Sequence, residues 1–325
     1  MTSAFENRQG ERQLHASRYD TARPFAFMHI QKTSGQAVAA GLARHFPLQS
    51  LIGGFDQSMF GAFDRFDTLS AVALNSIYFD SLPPGTMFAG HMSYSTLASI
   101  APDVQITTVL REPRSRLLSL WMYCRGRTDD QLEGWGAWRD VVTLSHRSLS
   151  EFLSCDKTAC LTDNIFVRML LWPHPLISPG LPIDERYDFL LISEAVERLE
   201  TMAFYDVIEN PAFVSNFSDW LGFPFVYDKI NETTWVPVER RLSLRHILTA
   251  EAFRLLEKNS RLDRILWDTV VAERIRGTTQ TQLADETFRQ TIHRHEQIMS
   301  LESESEHDDL KEADSRSPIR SRSCA

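Results

Sequence analysis

Phe25-Ala26-Phe27-Met28-His29-Ile30-Gln31-Lys32-Thr33-Ser34-Gly35 runs from an apolar segment of strand length into a lysine, two hydroxyl residues and a glycine. The residues that follow place Val38, Ala39, Leu42, Ala43 and Phe46 at the spacing of one helix face. Strand, small-residue turn and helix is a layout that aims unpaired first-turn amides and a helix N-terminus at an anion. Lys32 adds a full positive charge at the mouth of that turn. The stretch therefore predicts a binder of phosphate-like groups built on an α/β sheet.

A nucleotide-binding Walker A loop is the obvious candidate, and the fit fails. That loop needs glycines ahead of its Lys-Ser/Thr pair so that the backbone can wrap the phosphates. Here positions 26 and 31 are Ala and Gln, and Gly35 and Gly41 come only after the lysine. A second segment narrows the choice. Val104-Gln105-Ile106-Thr107-Thr108-Val109-Leu110 reads as another buried strand, running into Arg111-Glu112-Pro113-Arg114-Ser115-Arg116-Leu117-Leu118-Ser119. Pro113 suits the first turn of a helix. Ser119 follows Arg111 by two turns, so both side chains could reach one anion, and an arginine fork suits phosphate oxygens. Two such units imply a ligand with phosphates at two separated places.

These two segments resemble the 5′-phosphosulfate and 3′-phosphate motifs of sulfotransferases that use 3′-phosphoadenosine 5′-phosphosulfate (PAPS). The likeness is strongest to the carbohydrate branch that includes heparan sulfate 2-O-sulfotransferase. That branch reads His-Ile-Pro-Lys-Thr-Gly-Gly-Thr-Ser, against His29-Ile30-Gln31-Lys32-Thr33-Ser34-Gly35-Gln36-Ala37 here. Its second motif, Leu-Arg-Asp-Pro-x-x-Arg-Leu-Leu-Ser, is matched almost completely by Leu110 to Ser119. Phe88-Ala89-Gly90-His91 resembles the segment with the family's catalytic histidine, and Asp163-Asn164 through Arg168-Met169-Leu170 resembles a later block. The stretch from Phe204 to Glu209, the helix through Trp220 and Asn231 complete a likeness over roughly residues 24 to 275.

The resemblance implies a three-layer P-loop-like fold and a PAPS-dependent transfer of a sulfuryl group to an acceptor hydroxyl on a carbohydrate or glycolipid. His91 would take the acceptor proton and Lys32 would stabilise the leaving phosphate. The cofactor would be held by Lys32, Thr33, Ser34, Gly35, Gln36, Arg111 and Ser119. Arg168 would bind an anionic substrate or brace a loop. No metal is expected, because lysine and the helix N-terminus supply positive charge. The departures are specific: Gln36-Ala37 replace a Thr-Ser pair, removing two hydroxyl donors, and Ala89 stands where the heparan sulfate enzymes carry a second histidine. The chain would rely on His91, with His29 (a core or cleft histidine inside the strand) or Glu112 next in line as base. Two other classes stay open: a P-loop kinase of a small metabolite, and a non-catalytic nucleotide-binding relative.

Composition supplies the setting. The chain has 325 residues, 43% hydrophobic and 24% charged, enough for one large core. A net charge of −9 argues against nucleic-acid binding, while Arg111, Arg114, Arg116, Arg125 and Arg127 could still line a basic cleft. Four cysteines without paired spacing read as reduced thiols. His293 and His295 fall on different helix faces, which disfavours a metal site. No apolar run approaches the roughly 18 residues of a membrane span, and residues 1–23 lack a signal-peptide core, so a soluble, cytoplasmic, bacterial protein is expected.

The organisation expected is a flexible tail over 1–23, a sulfotransferase domain over 24–278, a helix over 279–300, and a disordered acidic, then Ser/Arg-rich tail over 301–325. Gly53 to Asp67 and Gly126 to Trp138 read as loops, and Thr249 to Arg274 as helical. Alternating strands and helices predict a central parallel sheet flanked on both faces, with ligands at the strands' C-terminal ends.

Overall fold

The computed structural model describes residues 18–46, 51–61, 85–101, 103–133, 135–226 and 235–301. Five strands form one sheet: β1 (Phe25–Met28), β2 (Leu51–Phe55), β3 (Met87–His91), β4 (Gln105–Leu110) and β5 (Phe204–Val207). Every pairing is parallel and the order is β2-β3-β1-β4-β5. The helices in chain order are α1 (Gly35–Ala43), α2 (Gln57–Phe60), α3 (Tyr94–Ile100), α4 (Pro113–Arg125), α5 (Ala137–Thr143), α6 (Leu149–Ser154) and α7 (Ala159–Thr162). They continue with α8 (Ile165–Leu171), α9 (Asp188–Glu200), α10 (Phe213–Leu221), α11 (Leu244–Ile247), α12 (Ala250–Asn259), α13 (Arg261–Arg274) and α14 (Gln280–Ser300).

The apolar runs of β1 and β4 are continuous because both faces of the sheet are covered. Side chains alternate across a strand, so β1 serves two cores. Phe25 and Phe27 join Val38 and Leu42 of α1 and Phe217 and Trp220 of α10. Ala26 and Met28 join Ile106 and Leu110 of β4, Leu117 and Trp121 of α4, and Trp267 of α13. The expected three-layer α/β architecture is what forms.

Strand order locates the site. From β1 the chain crosses to one side of the sheet, and β5 lies on the other side beyond β4. Connections that diverge from neighbouring strands leave a crevice at their C-terminal ends, where ligands of open α/β sheets bind. The Lys32 turn leaves β1 and Arg111 leaves β4, so both open onto that crevice.

Several expectations need correction. Gly53 and Gly54 belong to edge strand β2, paired to β3, and Gln57–Phe60 is helical. The rest of that expected loop, from 62 onward, lies outside the described residues. Gly126 to Trp138 holds a helical turn at Asp130–Leu132, and Trp138 is already in α5. Thr249 to Arg274 is helical as expected, in two helices meeting at Ser260, which ends α12 and starts α13. Residues 18–23, expected in a loose tail, are tied down: Tyr19 donates its N–H to the Trp220 carbonyl at 2.9 Å, and its ring meets Phe25, Phe46 and Trp220. Residues 1–17, Asn231 and the C-terminal tail from 302 lie outside the described residues. Among the described residues no helix is long and apolar enough to cross a membrane.

Candidate functional site

The turn after β1 is a strained one. Lys32 (φ 66°) and Ser34 (φ 61°) both occupy the left-handed region without being glycine, a conformation that costs about 1–2 kcal/mol per residue. Thr33 is buried, and its hydroxyl donates to the Ile30 carbonyl at 2.9 Å, which closes the turn. That proton is therefore spent internally, leaving Thr33 its backbone N–H for a ligand. Ser34 is the N-cap of α1 yet makes no side-chain cap bond. The first-turn amides, Gly35, Gln36 and Ala37, have no intrahelical acceptor by geometry. The Gln36 side chain is exposed beside them. Gly35 is required for packing: a Cβ there would lie 1.8 Å from the His29 ring.

The Lys32 ammonium sits 4.4 Å from the centroid of the Tyr123 ring, and the Arg127 guanidinium lies 4.0 Å from the same ring. Ser119 precedes Tyr123 by one helical turn, so it stands on the α4 face turned toward this lysine.

The turn after β4 is built differently. Arg111 donates from Nη1 to the Lys32 carbonyl at 3.2 Å and from Nη2 to the Thr291 hydroxyl at 3.4 Å, joining the two turns to α14. Glu112, fully buried, accepts from the Ser115 N–H (2.7 Å), the Ser115 hydroxyl (2.6 Å) and Arg114 Nε (2.8 Å). The start of α4 is thus capped by its own carboxylate, so its first amides are already satisfied. Glu112 is equally unsuited as a reserve base, since both its oxygens hold the helix start. Beneath Arg111, Glu209 accepts from the Glu112 N–H (2.8 Å) and from the Trp267 indole (3.1 Å), and burial pushes its carboxyl up to about 7.

The expected arginine cleft does not form as a group. Arg114 binds Glu112, Glu257 and Asp285. Arg116 is buried and donates to the Leu161 carbonyl. Arg125 donates to the carbonyls of Arg240, Ser145 and Arg147. Arg111 and Arg127 are the members that stay with Lys32.

His91, the last residue of β3, joins the site from the other flank of β1. Its Nδ1 lies 2.7 Å from the His29 carbonyl. A carbonyl only accepts, so Nδ1 carries the proton and Nε2 keeps its lone pair. Burial lowers the His91 pKa below 6.5, which keeps the ring neutral near pH 7. The His29 ring lies 4.4 Å away; burial, then His91 and Lys32, hold its pKa well below 6.5. Gly90 is needed for a reason other than a turn: a Cβ would lie 2.1 Å from the Gly54 carbonyl of the neighbouring strand. That close strand carries the chain to Asp56, which accepts the Ser93 N–H at 2.6 Å and donates its own N–H to the His91 carbonyl. Phe60 then walls the histidine, its ring 6.5 Å from His91 and 6.5 Å from Trp138.

Arg168 stands apart from this cluster. It is fully buried and donates to the Asp163 carbonyl and carboxylate and to the carbonyls of Ser178 and Leu181. Asn164, with φ 47°, accepts the Leu262 N–H at 2.8 Å. The Asp163-Asn164…Arg168 block is a clamp between α8, α13 and the 178–181 segment, so of the two sequence readings of Arg168 the brace is the one formed.

Thr291 of α14, which meets Arg111, was not singled out by the sequence reading, and buried His295, one turn on, was read there only as an unlikely metal ligand. Their only signal is positional. They occupy the stripe set by Ala284, Phe288 and Ile298, where an apolar residue is expected.

No family model matches the chain, and no curated protein matches it. Among solved structures, the crystal structure of mouse sulfotransferase SULT7A1 complexed with PAP aligns with 85% of this chain and 92% of that chain, at 14% identity and a TM-score of 0.34. At that distance the site's own geometry carries the functional reading.

Proposed function

We propose that the chain is a sulfotransferase of one catalytic domain, residues 24–278, acting in the cytoplasm. It moves a sulfuryl group from PAPS to an acceptor hydroxyl on a carbohydrate or glycolipid. The observation that supports this most is the convergence of three differently equipped groups on one crevice: uncapped amides with Lys32, the Arg111 fork, and a neutral His91 with its tautomer fixed.

In this reading the acceptor oxygen forms a bond to sulfur as the bond from sulfur to the 5′-phosphate oxygen breaks. The acceptor proton goes to His91 Nε2, and 3′-phosphoadenosine 5′-phosphate leaves. Such displacements depend on positioning and on stabilising charge as it develops. The amides from Thr33 to Gln36, with Ser34 and Gly35, hold the 5′ group, and Lys32 meets charge on the leaving oxygen. Arg111 and Ser119 take the 3′-phosphate.

Calorimetric titration tests the reading. The protein should bind adenosine 3′,5′-bisphosphate more tightly than adenosine 5′-monophosphate by over tenfold, about 1.4 kcal/mol. Arg111→Ala should erase that preference without unfolding the chain, and transfer of labelled sulfate from PAPS to a glycan panel should follow. Equal affinity of the unaltered protein for the two nucleotides would defeat the assignment.

A further inference from the structure

The inward face of α14 carries two polar residues one turn apart, Thr291 and His295, both buried. Packing does not ask for them, since Ala284, Phe288 and Ile298 fill the same stripe with apolar atoms. Thr291 meets Arg111, at 3.4 Å. His295 is 3% exposed, and its Nδ1 is closed to water without a hydrogen-bond partner. A buried polar atom left unpaired costs about 1–3 kcal/mol, so folded proteins keep few of them. The charges that reach the ring are Arg111, Lys32 and Arg294, all cationic, and the first two belong to the candidate anion site. A nitrogen without a partner at the edge of such a cluster is suited to one more group, an oxyanion.

We propose that His295, aided by Thr291, is a further ligand contact of the Lys32–Arg111 site, its Nδ1–H donating to a phosphate oxygen at the Arg111 end. Burial and the cations push the ring's pKa down to about 3, so it offers a neutral hydrogen bond. The Arg111 end is favoured because Thr291, one turn away, already touches Arg111. The inference rests on the nucleotide reading above and adds α14 to the walls of that site.

The test uses the full chain and two probes, adenosine 3′,5′-bisphosphate and adenosine 5′-monophosphate, titrated into His295→Phe and Thr291→Val. His295→Phe should hold or raise the melting temperature, because it removes the unpaired nitrogen. It should weaken the bisphosphate at least about tenfold, as expected for a lost hydrogen bond to a charged group, while leaving the monophosphate unchanged. Thr291→Val should act in the same direction, more weakly, and decides the matter if His295→Phe does not fold. An unaltered protein with no bisphosphate preference overturns the nucleotide reading and this inference together. A preference kept by folded variants, or an equal loss for both nucleotides, overturns this inference alone.

Discussion

The turns after β1 and β4 open onto one crevice, and each leads into a helix, yet they treat the first amides of those helices in opposite ways. At α1 the N-cap is Ser34, held left-handed and making no cap bond, so the amides stay available. At α4 the N-cap is Glu112, whose buried carboxylate takes the Arg114 and Ser115 amides and the Ser115 hydroxyl. One turn presents backbone donors and accepts strain for it. The other is self-satisfied and presents a single side chain, Arg111. Under the proposed function the backbone would meet one anion and a guanidinium the other, though the two segments look alike when read as strand-turn-helix units.

The largest expected effect tests the histidine that is fastened to the first turn through the His29 carbonyl. His91→Ala should lower sulfate transfer by about 10²- to 10⁴-fold, the usual contribution of a general base, while bisphosphate binding survives. In the unaltered protein, kcat/KM should climb as pH rises through the His91 pKa, which lies below 6.5, and stay level above neutrality. A rate profile with its midpoint above pH 7 would point to another base.

Lys32→Ala should cost turnover roughly two orders of magnitude, the scale of one electrostatic stabiliser, with a smaller change in ground-state nucleotide affinity. Near-normal turnover would reduce Lys32 to the partner of the Tyr123 ring.

Glu112→Ala probes the self-satisfied turn. Urea denaturation should show a loss of roughly 2 kcal/mol, from one helix cap and the donors it leaves buried. An unchanged midpoint would mean that the α4 amides find other partners, and the contrast between the turns would fall.

The smallest effect is expected at Ser34→Gly. Relief of the left-handed backbone, offset by the extra freedom of glycine in the unfolded chain, should raise stability by about 0.5–1 kcal/mol. A destabilised Ser34→Gly would show that the hydroxyl supports the turn after all.

The sheet's centre was legible because β1 and β4 are buried on both faces and therefore read as unbroken apolar runs ending at a lysine and an arginine. β2 was missed because Gly53-Gly54 dilutes the strand pattern, and the close approach of the Gly54 carbonyl to Gly90 shows only once the strands are paired. The break at Ser260 carries neither proline nor glycine. Arg168 looked equally like a ligand contact because type and position do not reveal depth, and only the fold shows every partner to be internal. The proposed roles of Thr291 and His295 were invisible for a similar reason: helical spacing tells which face is buried, not what that face covers.

The bond from Arg111 to Thr291 spans 180 residues, and that from Arg114 to Asp285 spans 171, whereas Thr107 of β4 bonds Ala26 of β1 across 81 and His91 of β3 bonds His29, just past β1, across 62. Loop-closure cost grows slowly with length, so docking α14 carries a chain-entropy cost larger than closing the crevice by under about 1 kcal/mol. Native proteins open locally in cooperative units, each with its own free energy. A nucleotide bridging Arg111 and α14 would add its binding free energy to that element in particular. Amide exchange along residues 285–300 should then slow when adenosine 3′,5′-bisphosphate is added, and an unchanged rate would separate α14 from the crevice.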